Sequence, residues 1–250
     1  MEISTQDYQD WIDLYKGLIT NSSKVLVDEE KNGVCHVMMG IIIGCKYQNN
    51  LIVGRAPYGW HRYRLDTEDL FSGENRIFNF PEILTKIKTD YSGSNKGFWK
   101  LVKGIFSPLY GDNWEQFIAY TNYCKLAEEE ANPSYALAIS QQEDCNRIFD
   151  KEIEFANPKN IFILTGCKVK KDYNLYTEPL MKHLLGEKWK EKLIEEVQWG
   201  KDRFGNPWMS QVYKYGGINI FLSEHPAFKF KYDGNHIKVL SNLFKKYGNP

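Results

Sequence analysis

The decapeptide Leu51 to Trp60, LIVGRAPYGW, sets a short apolar run directly before a turn that holds Gly54, Pro57 and Gly59. Such a run reads as a buried strand, and its sequel as a tip that presents backbone amides and side chains at the carboxyl edge of a sheet. In open α/β sheets that edge is where ligands bind. The pattern recurs along the chain. Phe117 to Asn122 (FIAYTN) reads as a strand with Asn122 at its tip, and Ile161 to Leu164 (IFIL) as one ending at Thr165 and Gly166. Ile218 to Leu222 (INIFL) leads into Ser223, Glu224, His225 and Pro226. Strand tips of this kind near both ends of the chain point to a shared cleft.

Helical periodicity separates these strands. Tyr8, Trp11, Leu14, Tyr15 and Leu18 share one helical face behind a cap at Ser4 or Thr5, and Gly97 to Phe106 and Gln141 to Phe155 are also helical in pattern. Pro81 to Lys88 and Leu180 to Val197 read as further helices, the second stretch as one or two of them, and Ile237, Leu240, Leu243, Phe244 and Tyr247 as a last one stopped by Gly248. Val34 to Ile43, interrupted by Gly40, fits helix or strand equally, and His61 to Glu74 reads as a polar loop above the sheet edge. Val212 to Leu222, broken by Gly216 and Gly217, reads as a hairpin or bulge. Short apolar strands alternating with helices predict an α/β fold, a three-layer α/β/α sandwich with a mostly parallel central sheet. No Pro/Ser/Gly linker or repeat divides the 250 residues, so one domain over 1–250 is expected.

Charge narrows the partners. Lys plus Arg equals Asp plus Glu at 32 each, so no overall field draws in a polyanion and any nucleic-acid contact rests on a local patch. Five scattered cysteines (Cys35, Cys45, Cys124, Cys145 and Cys167) without close C-x-x-C spacing fit a reduced intracellular protein rather than a disulfide framework or a metal cage. His36, His61, His183, His225 and His236 lack paired ligand spacing. The N-terminus has no signal-peptide pattern, and the longest apolar stretch, Val34 to Gly44, is too short to span a bilayer. A soluble, cytoplasmic, monomeric protein with no metal, no cofactor and no membrane contact is expected.

Three of the strand tips together resemble the uracil-DNA glycosylase superfamily. Gly54, Arg55, Ala56, Pro57 and Tyr58 are similar to its first motif, G-x-[DAN]-P-[YG]; Asn122 stands where its best-known branch carries a base-reading Asn; and Ser223 to Phe228 resemble its closing H-P-S segment. Gly54, Arg55, Ala56, Gly59 and Trp60 also resemble a G-R-A-x-x-G-W form found in uncharacterised bacterial relatives. The resemblance implies cleavage of an N-glycosidic bond to a flipped base such as uracil, with single- or double-stranded DNA or a free nucleobase or nucleotide as partner. It also departs from the pattern. The best-known branch has at position 56 an Asp that orients the attacking water, and Ala56 cannot do this; the closing Ser is replaced by Ala227; and the cysteine spacings do not match the iron-sulfur branches.

On this resemblance His225 is the catalytic hydrogen-bond donor to a developing pyrimidine oxyanion. The Asn122 amide suits a Watson–Crick edge, Tyr58 suits base stacking and Arg55 suits a phosphate, with Gly54, Ala56, Pro57 and Pro226 shaping the pocket. Asp66, with Glu68 and Asp69 as neighbours, is the carboxylate left to hold the water. Each residue also has a plainer reading. His225 before Pro226 at a strand end is a satisfied structural residue, Asn122 alone is a turn or cap residue, Gly54, Pro57 and Gly59 form a tight turn, Tyr58, Trp60, Phe98 and Trp99 belong to a core, and the acidic loop is solvated surface. Loss of the carboxylate at position 56 equally fits a noncatalytic nucleobase-binding module of the same fold. An unrelated small-molecule hydrolase is disfavoured, since no G-x-S-x-G elbow, P-loop or H-E-x-x-H helix is present.

Overall fold

Apolar spacing of about four residues builds the first helix, α1 (Thr5–Leu26), in which Trp11, Tyr15, Leu18 and Ile19 are buried on one face. The computed structural model describes residues 5–26, 34–37, 40–56, 62–64, 97–128, 132–167, 174–226 and 233–248. These fall into two compact units, one drawn from Met1–Ile41, Arg55–Asn79 and Thr121–Phe155 and the other from Ile42–Gly54, Phe80–Tyr120 and Ala156–Pro250. The expected helix over Pro81 to Lys88 lies outside the described residues.

The first unit sets α1 with α3 (Tyr135–Ser140) and α4 (Gln142–Ala156) and adds an antiparallel sheet of three short strands. In that sheet β1 (Val34–Val37) lies between β4 (Arg62–Arg64) and β6 (Leu126–Glu128). Val34 to Ile43, whose pattern fits helix or strand, and His61 to Glu74, expected to be loop, thus contain strands, because β1 and β4 pair with each other across the sequence gap. Ser134 caps α3 by accepting a hydrogen bond from the Leu137 N–H (3.2 Å), just beyond the Asn132–Pro133 turn.

The second unit is built on a seven-stranded sheet. Its strands are β2 (Ile42–Ile43), β3 (Asn50–Gly54), β5 (Ile118–Asn122, the last two residues counted with the first unit), β7 (Asn160–Ile163), β8 (Glu195–Lys201), β9 (Pro207–Tyr215) and β10 (Ile218–Ser223). Their spatial order is β2-β5-β3-β7-β10-β9-β8. The sheet is mixed, which corrects the expectation of a mostly parallel one. β3 and β10 run parallel to β7, whereas β2 is antiparallel to β5, and β9 is antiparallel to both β10 and β8. The cause is local. Gly216 (φ +54°) with Gly217 makes a tight turn that folds β9 back on β10, and a second short turn folds β8 on β9; such turns join only antiparallel neighbours.

Strand alternation decides which helices cover which face. Ile52, Phe162 and Phe221 are register partners, so they share a face, and there Phe162 meets Phe221 (4.7 Å between centroids), Phe106 (5.2 Å) and Phe244 (5.1 Å). Phe106 comes from α2 (Gly97–Tyr110) and Phe244 from α6 (Asp233–Tyr247). The two helices approach closely at Gly104, where a Cβ would lie 2.5 Å from Ile237 Cδ1. Tyr213 points to the opposite face and packs on Trp189 (5.6 Å), which lies in a 3-10 turn (Trp189–Lys192) after α5 (Asn174–Leu185). The expectation of helix through Val197 is therefore also corrected. α5 ends at Leu185, before Gly186 (φ +84°), and Glu195 to Lys201 follow a strand's alternation of exposure. Among the described residues no helix is long and apolar enough to cross a membrane.

Candidate functional site

Parallel register brings three strand tips level. Val53 and Leu222 both pair with Ile163, and the ladder continues past the strands through Leu164 N–H to the Val53 carbonyl (3.0 Å) and Gly166 N–H to the Ser223 carbonyl (3.0 Å). Gly54, Thr165–Gly166 and Glu224–His225 therefore stand side by side at the carboxyl edge of the second unit's sheet. Gly166 takes φ +119°, a conformation open to glycine, and its carbonyl accepts from Thr177 Oγ1 (2.6 Å). With that hydroxyl proton committed, the 2.7 Å contact between the Thr165 and Thr177 hydroxyls has Thr165 as donor.

The β10 tip is held from behind. Ser223 Oγ lies 2.7 Å from Ser210 Oγ and 2.7 Å from Nε2 of His236, whose ring stacks on Trp199 at 3.8 Å and 7°. Ser223, Ser210 and His236 are buried, so this trio locks α6 to the strand end and is out of reach of a ligand. Immediately beyond it Glu224 is 5% exposed, and His225 is half-buried. The His225 ring lies 6.1 Å from Phe98, which in turn lies 5.8 Å from Tyr120. At the start of α2, Gly97 admits the Pro226 carbonyl, which would sit 2.8 Å from any Cβ placed there. A half-buried imidazole beside a phenyl ring at a strand end is a group whose chemistry suits a flat polar ligand.

Arg55, Ala56 and Asn122 belong to the first unit. The Cys124 N–H donates to the Arg55 carbonyl (2.9 Å), joining the first motif's turn to the segment that follows Asn122. Asn122 is buried, and its carbonyl accepts from Nζ of Lys125 (2.6 Å). Pro57, Tyr58 and Asp66 lie outside the described residues, as do Glu68 and Asp69. The predicted residues thus divide, with Gly54, His225 and Pro226 gathered at one sheet edge and Arg55, Ala56 and Asn122 set in the other unit.

Sequence reasoning missed the ion pair behind Asn122. Lys125 and Glu152 are both wholly buried, with Nζ 2.7 Å from Glu152 Oε1 and 2.7 Å from Thr121 Oγ1, and Thr121 donates to the same carboxylate oxygen (2.8 Å). Burial pushes the Glu152 carboxyl up, against the opposing pull of Lys125 and the hydrogen bond from Thr121. Gln141 completes the network by accepting from the Lys125 and Leu126 N–H groups and donating to the Leu126 carbonyl, each at 3.0 Å. Beside it burial also pushes the Cys145 thiol up to about 12, so this cysteine stays an unreactive thiol. No periodicity marks a Lys and a Glu 27 positions apart as partners, and only the fold reveals them.

Among the described residues no group of three or more His, Cys, Asp or Glu side chains is arranged to hold a metal ion. No family model matches the chain, and no curated protein matches it either.

Proposed function

We propose that the chain recognises a nucleobase at the carboxyl edge of the seven-stranded sheet and excises it, as a glycosylase of the uracil-DNA glycosylase-like fold with a three-layer α/β/α organisation. The observation that carries this reading is the position of His225, half-buried at a strand end level with Gly54 and Gly166 and backed by Phe98. The central strand order supports it as well. β3, β7 and β10 lie side by side and run parallel, and in open α/β sheets ligands bind outside the carboxyl ends of such strands. In the reaction the N-glycosidic bond breaks, its electron pair leaves with the base, and water adds to the sugar cation and gives up a proton that balances the one taken up by the base anion. A hydrogen bond from His225 to the base oxygen strengthens as negative charge gathers there, which lowers the barrier.

Ala56, buried and with only a methyl group, favours a second reading: a nucleobase-binding module that has kept the edge and lost the carboxylate that orients water. The two separate in one assay. Single- and double-stranded DNA carrying uracil, hypoxanthine or xanthine is incubated with the purified chain, and abasic sites are counted. Abasic sites from at least one substrate support excision, whereas binding without abasic sites from any of them selects the noncatalytic module.

A further inference from the structure

The turn between β8 and β9 is built as a rigid finger, and nothing at the sheet edge already described accounts for it. Asp202 organises it alone: Oδ1 accepts from the N–H groups of Phe204 and Asn206 (2.9 Å each), Oδ2 accepts from the Asn206 side-chain amide (2.8 Å), and its own N–H donates to the Asn206 carbonyl (2.9 Å). Gly205, at φ +83° with its N–H on the Asp202 carbonyl (3.0 Å), completes the turn. At the tip Phe204 is 69% exposed, with the Arg203 guanidinium 4.7 Å above its ring. Lys201 beside it is exposed as well. The Asp202 carboxylate is occupied within the turn, so the surface the finger offers is aromatic and cationic.

Its position follows from register. β9 is antiparallel to β10 with Ser210 opposite Ser223, so Pro207 lies three residues further along and the turn overhangs the level of Ser223 by roughly 10 Å. That overhang is on the carboxyl side of the sheet, one strand from the tip that carries His225. The base of the finger is braced to that same tip. Trp199, at the bulge in β8, packs on Trp208 (5.3 Å) and stacks on His236, which holds Ser223. Keeping a large aromatic ring in water forgoes its burial, yet here a whole hydrogen-bonded turn presents one.

We propose that the Asp202–Asn206 turn is a nucleic-acid finger: Phe204 stacks on an unpaired base of a single strand lying along the sheet edge, and Arg203 meets a neighbouring phosphate. An exposed ring beside a guanidinium is the chemistry by which single strands are held without regard to sequence. This inference rests on the reading of that edge as a nucleobase site, and it names the partner as an unpaired strand. The neutral overall charge makes such a local anchor necessary, because no general field gathers the polyanion.

The test uses the full chain and a fluorescein-labelled oligothymidylate of about 12 nucleotides, free of uracil, with binding read by anisotropy at several salt concentrations. Phe204→Ala weakens binding about tenfold while Phe204→Trp retains it, and Arg203→Ala lowers the salt slope by about one. Thermal melting of Phe204→Ala matches the parent, which separates a contact from a folding defect. Wild-type failure to bind the strand, or equal binding by Phe204→Ala, overturns the finger. Abasic-site formation on the same preparations reports on excision separately. Uracil release that is indifferent to Phe204 sinks the finger and leaves the glycosylase reading, whereas Phe204-dependent binding without base release from any substrate does the reverse.

Discussion

Two polar clusters in this chain are built in opposite ways. In the first unit Lys125, Glu152 and Thr121 are wholly buried and bonded to one another, while in the second His225 sits half-buried at a strand end. A buried ion pair carries a heavy desolvation cost that only its partners offset, so it is intolerant of change and useless to a ligand. A half-exposed imidazole at the end of a paired strand costs little to keep and can meet a substrate. Charge density alone thus does not mark a site; access to water does.

The sharpest way to break this contrast is to remove one partner of the buried pair. Lys125→Met leaves the Glu152 carboxylate in the core without a counterion and is expected to cost about 3–5 kcal/mol in urea unfolding, whereas Lys125→Met with Glu152→Leu returns to within about 1 kcal/mol of the parent. A single mutant as stable as the parent shows the pair to be solvated. His225→Ala is expected to act the other way, lowering base release by roughly two to three powers of ten, equivalent to about 2.7–4 kcal/mol of barrier, with the melting temperature unchanged. A lower melting temperature with no change in rate assigns His225 to the core instead.

Smaller effects sharpen the comparison further. Gly104→Ala is expected to cost about 1–3 kcal/mol, because its Cβ meets Ile237 at 2.5 Å and α2 and α6 must part. Glu152 also makes stability depend on pH. Its folded-state pKa is raised, so its contribution is fully present below the ordinary carboxylate range and is lost as pH rises from there through the folded value, at no more than about 1.4 kcal/mol per pH unit. Glu152→Gln is expected to remove that decline from a pH series of urea unfolding curves. An unaltered series assigns the decline to another group.

Much of the second unit was legible in the sequence because its signals are local. LIVG, IFIL and INIFL are apolar runs closed by Gly, Thr or Ser, and each is a buried strand with its tip where the pattern puts it. Ile237 to Tyr247 repeats with helical spacing and is helix. The region from Leu185 to Pro207 was not legible, since Lys- and Glu-rich stretches such as Trp189 to Glu196 satisfy helical and strand patterns alike until pairing with β9 decides. The expectation of a mostly parallel sheet, drawn from short strands alternating with helices, therefore lacks the antiparallel β8 there and the Asp202 turn that precedes β9. Of the candidate site, His225 was visible from its place after a strand. His236 and Glu152 were not, because what distinguishes them, a serine hydroxyl and a lysine in contact, comes from distant parts of the chain.

The most direct test compares single-turnover base release from uracil-bearing single-stranded DNA by the parent chain and by His225→Ala. The account predicts abasic sites from the parent and a rate roughly 10²- to 10³-fold lower from the variant, at equal melting temperature. Equal rates from the two, or no abasic sites from the parent on any deaminated base, contradict it.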